Sequence, residues 1–513
     1  MISDEQKREF QRLRETPVPT LHSLFMRNSR ETPDAAAFLV STGDRSVPIP
    51  WRDFIKDVEK VAWAIQTRLM STPEAKQRCV IGILGENSYS WMVAHAACLF
   101  SGAVAMPIDP ALTPVEMAER LRFTGARFVA YSALYASKAK AAQKLLPGVG
   151  FGAFADVEAD KILVDAQEAL ANGAPSPLAT PPDEDGRIAM LVFTSGTTSK
   201  PRGVELTMRG LALFAANAAR SVPINPGDHS LMMLPLHHIF GIAVAYTFLA
   251  NRVAMGVCPD FRRLFDAVQR FRCNHLFLVP ALADILAQKI SRRGSTTEEA
   301  LGTKIKWIGT GGAPLSPNTY KAFTSLGVTM LDMYGLTETT ALCSKDCYAA
   351  SKPGTIGPGP LVPGTEVKLS EEGELLIRGP GVMKGYYAEP ELTAKAMRGG
   401  YFHTGDSAEI DKDGYIKIVG RINRTIVLSS GKKIAPEELE EKLLQLPGFR
   451  EVRVTGEGAS RMLTAEVYAT VGEEIVRAEI NALNLQLPLH KRIRATVVRS
   501  EPFPKTSSGK IKA

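Results

Sequence analysis

Residues 192–206, "VFTSGTTSKPRGVEL", concentrate hydroxyl, glycine and cationic groups in one short stretch. Thr194, Ser195, Thr197 and Thr198 carry hydroxyls, Gly196 lets the backbone bend, and Lys200 and Arg202 add positive charge. Convergent N–H and hydroxyl donors beside cations suit a phosphate chain. The spacing is not that of the GxxxxGK[ST] loop, and a Ser/Thr/Gly run by itself also makes an ordinary solvated connector. Four other stretches carry comparable chemistry. "WIGTGGAPLS" ends an apolar run on Gly311 and Gly312, where a planar ring can approach the backbone. "MYGLTE" sets Tyr334, Gly335, Thr337 and Glu338 together; the carboxylate suits a divalent cation that neutralises phosphates. "YFHTGD" ends on Asp406, an acceptor for ribose hydroxyls, and "FPKTSSGKIK" places Lys510 after a Ser-Ser-Gly segment.

These residues need a scaffold, and the chain alternates strand and helix patterns. Residues 80–85 ("VIGILG") read as a buried strand, 90–101 as a helix and "AVAMPID" as a second strand. Thr113-Pro114-Val115-Glu116 is a capping box with proline at the first helical position, and "RFVAYS" is the next strand. This rhythm predicts an α/β fold with mostly parallel sheets, in which ligands sit at the carboxyl ends of strands. Residues 354–420 turn glycine- and proline-rich with short alternating segments, predicting a β-rich subdomain. The expected boundary follows Gly420: 1–420 form a large N-terminal domain and 421–513 a small α+β C-terminal domain.

The chain of 513 residues, 45% hydrophobic and 22% charged, has a net charge of +7. The mild excess favours anionic partners, but with no basic block nucleic-acid binding is not expected. Six cysteines show no CxxC pair. With no leader-like start, a reduced, cytoplasmic protein is the expectation. The apolar stretch 230–251 contains Pro235, His237, His238 and Gly241 and reads as core rather than a span. Peripheral membrane contact stays open.

Taken together, "TSGTTSKPRG", "PLHHIFG", "GTGGAPLS", "YGLTETT", "IRGPGVMKGYY", "YFHTGD", "GYIKIVGR", "GKKIAPEELE" and "PKTSSGKIK" resemble, in order, the motifs of the adenylate-forming superfamily. That superfamily comprises acyl-CoA synthetases, adenylation domains and luciferase-like enzymes. The resemblance implies a carboxylic acid and MgATP giving an acyl-adenylate and pyrophosphate, followed by displacement of AMP by a thiol. It places Thr194, Ser195, Gly196, Thr197, Thr198 and Arg202 on the β- and γ-phosphates. Gly311, Gly312, Ala313 and Pro314 then line the adenine and acyl pockets, with Tyr334 and Gly335 at adenine. Thr337 meets the α-phosphate, Glu338 holds Mg²⁺, and Asp406 and Arg421 take the ribose. Lys510 is the implied catalytic lysine, with Thr337, Glu338 and His238 beside the reaction. The small domain is implied to rotate, exchanging Lys510 for a face near Gly431 and Lys432. Asn423-Arg424 depart from the usual Lys-Asp at that hinge, and Ser199 and Arg202 from the usual Gly and Lys of the phosphate loop.

"PLHHIFG" is the implied acyl-pocket segment, with His237, His238, Phe240, Gly241 and Gly312 around the acid. No carboxylate follows within 239–244 to hold an α-amino group, so an apolar acid is expected. The form of "IVLSSGKKIAPEELE" resembles long-chain fatty acyl-CoA synthetases and points to a medium- or long-chain fatty acid. Coenzyme A is the expected acceptor; the phosphopantetheine of an acyl carrier protein is the alternative. A non-catalytic nucleotide-binding homologue is the remaining alternative.

Overall fold

The computed structural model describes residues 3–42, 45–154, 167–179, 186–194, 201–294, 296–341, 344–345, 351–428, 432–457 and 462–504. A seven-stranded sheet is built on the strands Val80–Leu84 and Val104–Ile108, which are buried at every position. Burial on both faces accounts for their continuous apolar sequence, as in any parallel sheet covered by helices. Phe128–Tyr131 and Gly150–Ala153 extend the sheet in parallel on one side, and Ile188–Thr194 on the other. The capping box forms as expected: the Thr113 hydroxyl accepts from Glu116 N–H, while the Glu116 carboxylate accepts from Thr113 N–H.

Beyond Thr194 the sheet changes character. The chain returns as Arg202–Thr207, antiparallel to Ile188–Thr194, with Thr194 opposite Arg202. Ile188–Thr194 and Arg202–Thr207 are therefore the two arms of a hairpin. A second sheet runs His275–Leu278, Trp307–Gly311 and Thr329–Tyr334 in parallel. A third sets His229–Met232, Ala254–Val257 and Ala36–Thr42 in parallel, and Arg45–Pro50 antiparallel at its edge.

The glycine-rich region folds into an antiparallel sheet ordered Glu366–Leu369, Glu374–Arg378, Phe402–Ile410 and Ile416–Arg421. It is not self-contained: the two-residue strand Gly385–Tyr386 leaves it and pairs with Arg202–Thr207 at the edge of the seven-stranded sheet. A strand of two residues has no period to read, so the sequence pattern did not show it. After Arg421, helices Pro436–Leu444 and Glu473–Gln486 pack with the sheet Phe449–Glu457, Met462–Ala469 and Ala495–Arg499. Ile426, Leu439, Val454, Val467, Ile480 and Ile493 belong to a hydrophobic core distinct from those of the preceding sheets.

The apolar stretch 230–251 becomes the buried helix Ile239–Ala250 with the strand before it. Among the described residues no helix is long and apolar enough to cross a membrane. The Tyr246 ring from that helix stacks on Phe25, and its hydroxyl lies 2.9 Å from Nδ1 of the fully buried His95. Burial pushes the His95 pKa down to about 3, so it is neutral in the folded protein and titrates near 6.5 when unfolded. The unfolded chain then binds more protons throughout that interval, and stability falls as pH drops below 6.5. From pH 6.5 to pH 5 this one group removes about 2 kcal/mol. Urea unfolding at pH 7.5 and 5.0 checks the sign: His95→Phe is expected to flatten the loss relative to the unsubstituted protein.

Candidate active site

The chemistry-bearing residues collect where parallel strands end. Trp307–Gly311 and Thr329–Tyr334 are adjacent, with Gly311 opposite Met333, so Gly312 and Tyr334 emerge side by side. Gly312 has φ +83° and open space where a side chain would stand. Gly312, Ala313 and Pro314 are exposed, forming a lip rather than a packed turn. The Gly311 α-carbon is approached by the Phe240 ring: an added Cβ would lie 3.3 Å from it and 3.2 Å from the Met333 carbonyl oxygen.

Tyr334 reaches across to the antiparallel sheet and donates its hydroxyl to Asp406. Asp406 is 3% exposed and stands directly opposite Arg421 in the register of Phe402–Ile410 and Ile416–Arg421. The Arg421 Nε sits 2.7 Å from Asp406 Oδ1, and its guanidinium also donates to the Thr404 carbonyl at 3.4 Å. A carboxylate this buried survives as an anion only with such partners. The adenine-side tyrosine and the two ribose-side residues expected from the sequence are thus one bonded triad.

Thr337 and Glu338 lie in the 3-10 turn Thr337–Thr339, half-buried. Thr340 and Ala341 follow with φ of 52° and 67°. Left-handed backbone at a β-branched residue is strained, and surrounding bonds hold it in place. Thr340 Oγ1 donates to the Gly381 carbonyl at 2.7 Å, and Met383 N–H donates to the Glu338 carbonyl at 2.7 Å. The Tyr386 hydroxyl donates to Glu338 Oε1 at 2.9 Å. Arg202, on the hairpin, lies over the same Tyr386 ring, its guanidinium carbon 5.6 Å from the ring centroid. The structure therefore joins Arg202 and Glu338 through a residue that the sequence analysis quoted within "KGYY" without a role. Its signal was available as a buried aromatic in a glycine-rich, otherwise polar segment.

His237 and His238 form a tilted pair with ring centroids 4.2 Å apart. His237 Nε2 lies 3.6 Å from Asp109 Oδ1, a carboxylate at the end of the strand Val104–Ile108 that sequence reasoning did not single out. Burial, reinforced by His238 and opposed by Asp109, brings the His237 pKa down to about 4. Its ring is neutral at pH 7. Phe240 packs edge-on to the buried Phe277, centroids 6.4 Å apart, which closes the floor beneath Gly309.

Gly241 has a different setting. An added Cβ would meet the Pro235 carbonyl oxygen at 2.4 Å and the Leu234 carbonyl oxygen at 2.8 Å. The glycine is required by the turn into the helix Ile239–Ala250, and its α-carbon faces backbone rather than open space. Arg424 ion-pairs with Glu437 at 3.0 Å and Glu440 at 2.6 Å, tying the segment after Arg421 to the helix Pro436–Leu444. Lys432 is exposed, 3.4 Å from His490 Nδ1. Ser195, Gly196, Thr197, Thr198, Ser199, Gly431 and Lys510 lie outside the described residues. Among the described residues, no three His, Cys, Asp or Glu side chains converge as a metal cage.

Open α/β sheets commonly take their ligands at the carboxyl ends of parallel strands, which is where Gly312, Tyr334 and Glu338 stand. A profile described as "AMP-binding enzyme" matches residues 25–387, and the chain belongs to that family. It is 27% identical over 515 residues to an oxalate–CoA ligase of Arabidopsis thaliana, across 96% of this chain and 97% of the relative. It is also 27% identical over 315 residues to a long-chain-fatty-acid–CoA ligase of Mycobacterium bovis, across 52% of each. ATP-bound MatB from Rhodopseudomonas palustris shares the fold, with TM-score 0.79 and 24% identity over 96% of this chain and 97% of that one.

The Gly241 geometry yields a test that separates packing from ligand contact. Gly241→Ala is expected to lower the stability of the unliganded protein by about 2–3 kcal/mol, because the clashing atoms are backbone oxygens that cannot rotate away. Thermal unfolding without any substrate measures it.

Proposed function

We propose that this protein is an AMP-forming acid–thiol ligase that activates a medium- or long-chain fatty acid and passes it to coenzyme A. The observation that carries the adenylate chemistry is the convergence of Arg202, Glu338 and the Tyr334–Asp406–Arg421 triad on one strand-end crevice. In the first half-reaction a carboxylate oxygen attacks the α-phosphorus of ATP, and the bond from that phosphorus to pyrophosphate breaks. In the second, the thiol sulfur attacks the acyl carbon, its proton is lost, and AMP leaves.

Each described residue has a part suited to its setting. Arg202 offers a planar fork that grips two phosphate oxygens, which a lysine cannot. The Asp406 carboxylate, fixed from both sides, can accept ribose hydroxyls without moving. Glu338 supplies the single carboxylate that Mg²⁺ uses when phosphates and water supply its remaining ligands. Bound there, Mg²⁺ would neutralise phosphate charge. Positioning two anions for in-line attack supplies much of the rate.

The acid side is apolar in part: Phe240 lies against Gly311, no acidic residue stands in 239–244, and His237, beside the Asp109 carboxylate, carries no charge at pH 7. These features support an uncharged acyl group, and the match to a long-chain-fatty-acid–CoA ligase is in keeping with that. Residues 421–513 act in this reading as a mobile domain with Arg424 at the hinge, bringing Lys510 to the α-phosphate for the first step.

Pyrophosphate exchange into ATP, measured with acetate, octanoate, palmitate, oxalate and benzoate, tests the proposal. Exchange with octanoate or palmitate well above the others is the expected result; oxalate or benzoate in first place overturns the acid assignment. Absence of exchange with every acid tried would indicate a nucleotide binder without turnover. Lys510→Ala is expected to lose about 10²–10³ in exchange rate while retaining thioester formation from supplied acyl-adenylate. AMP release with coenzyme A against carrier protein then identifies the acceptor.

A further inference from the structure

The segment 381–387 belongs by sequence to the antiparallel region but does its bonding elsewhere. On one side it is sewn to the phosphate-loop hairpin. Gly385 pairs with Glu205 and Tyr386 with Val204, Lys384 N–H donates to the Glu205 carbonyl at 2.9 Å, and Tyr387 N–H to the Gly203 carbonyl at 2.8 Å. On the other side it holds the strained turn that carries Glu338, through Gly381 and Met383. Tyr386 lies between these two attachments, 7% exposed, its own N–H bonded to Thr393 Oγ1 at 2.9 Å.

From this geometry we infer that Tyr386 is a positioning residue for the metal-binding carboxylate, coupling it to the phosphate-gripping Arg202. The hydroxyl has one proton to give and gives it to Glu338 Oε1. The tyrosine ring lies beneath the Arg202 guanidinium, whose carbon is 5.6 Å from the ring centroid. The bond to Oε1 restricts rotation of the Glu338 carboxylate, which would hold it ready for a cation. Outer partners that orient metal-binding carboxylates are commonly worth about 10–100-fold in metal affinity.

This inference rests on Glu338 as the Mg²⁺ ligand, so both are tested together on the full-length protein without acid or thiol. ATP affinity is measured by titration calorimetry in EDTA and across a Mg²⁺ series, and Mn²⁺ binding in the presence of ATP is followed by electron paramagnetic resonance. Tyr386→Phe keeps the ring and its packing and removes only the hydroxyl. It is expected to raise the Mg²⁺ concentration for half-maximal tightening about 10-fold and to weaken Mn²⁺ binding equally, with ATP affinity in EDTA unchanged. In turnover the effect is expected in the Mg²⁺ dependence rather than in the KM for the acid. Glu338→Gln is expected to abolish the Mg²⁺ effect. If Glu338→Gln leaves it intact, the metal reading falls and the inference with it. If Glu338→Gln abolishes it while Tyr386→Phe leaves it unchanged, the role of Tyr386 alone is overturned. Equal loss of ATP affinity with and without metal in Tyr386→Phe also overturns it, since that marks a merely structural residue.

Discussion

The backbone pairing of segment 381–387 with the edge strand Arg202–Thr207 is the constraint on which the crevice depends. Without it the sheet would have six strands and end on Arg202–Thr207 as an open edge, its N–H and C=O groups unpaired. The pairing satisfies those groups and brings the antiparallel sheet alongside the parallel ones. The same few residues supply the bonds that keep Thr340 and Ala341 in left-handed backbone. Strain of this kind persists only where neighbours over-determine it, and here the neighbours also hold a carboxylate and an arginine.

A second junction is electrostatic. Asp406 is nearly sealed from water, and its charge is compensated by Arg421 and the Tyr334 hydroxyl, which come from two different sheets. A buried ion pair contributes little net stability against an apolar replacement, while loss of one partner is expensive. The arrangement is thus better understood as registration than as stabilisation: it fixes the antiparallel sheet relative to the end of Thr329–Tyr334. Arg424 makes a similar but more solvent-exposed connection to the helix Pro436–Leu444, and exposed pairs of this type contribute roughly 0–1 kcal/mol.

Much of the scaffold was legible in the residues because its signals are local. The strands of the seven-stranded sheet announced themselves as short apolar runs, and the helix at Pro114 by its capping box, since each depends on neighbours within a few positions. Family resemblance supplied the candidate site residues, because their order along the chain carries the likeness. Gly241 shows where motif transfer and physics diverge: grouped with the acyl pocket by its motif, it is needed for the clearance of two carbonyls. The importance of Asp109 was hidden, because nothing in its own segment points to a histidine more than a hundred residues later.

The sequence by itself determined the α/β alternation, the apolar burial that drives it, and the set of hydroxyl, glycine, carboxylate and cationic residues that can handle phosphate and a carboxylic acid. Only the tertiary structure decided that Ile188–Thr194 and Arg202–Thr207 pair as the arms of a hairpin, that Tyr386 stands between Arg202 and Glu338, and that Tyr334, Asp406 and Arg421 are bonded as one unit. The division has a physical reason. Periodicity and capping are properties of a few consecutive residues, whereas a two-residue strand, a cross-strand ion pair and a phenol shared by two loops exist only once distant segments are packed together.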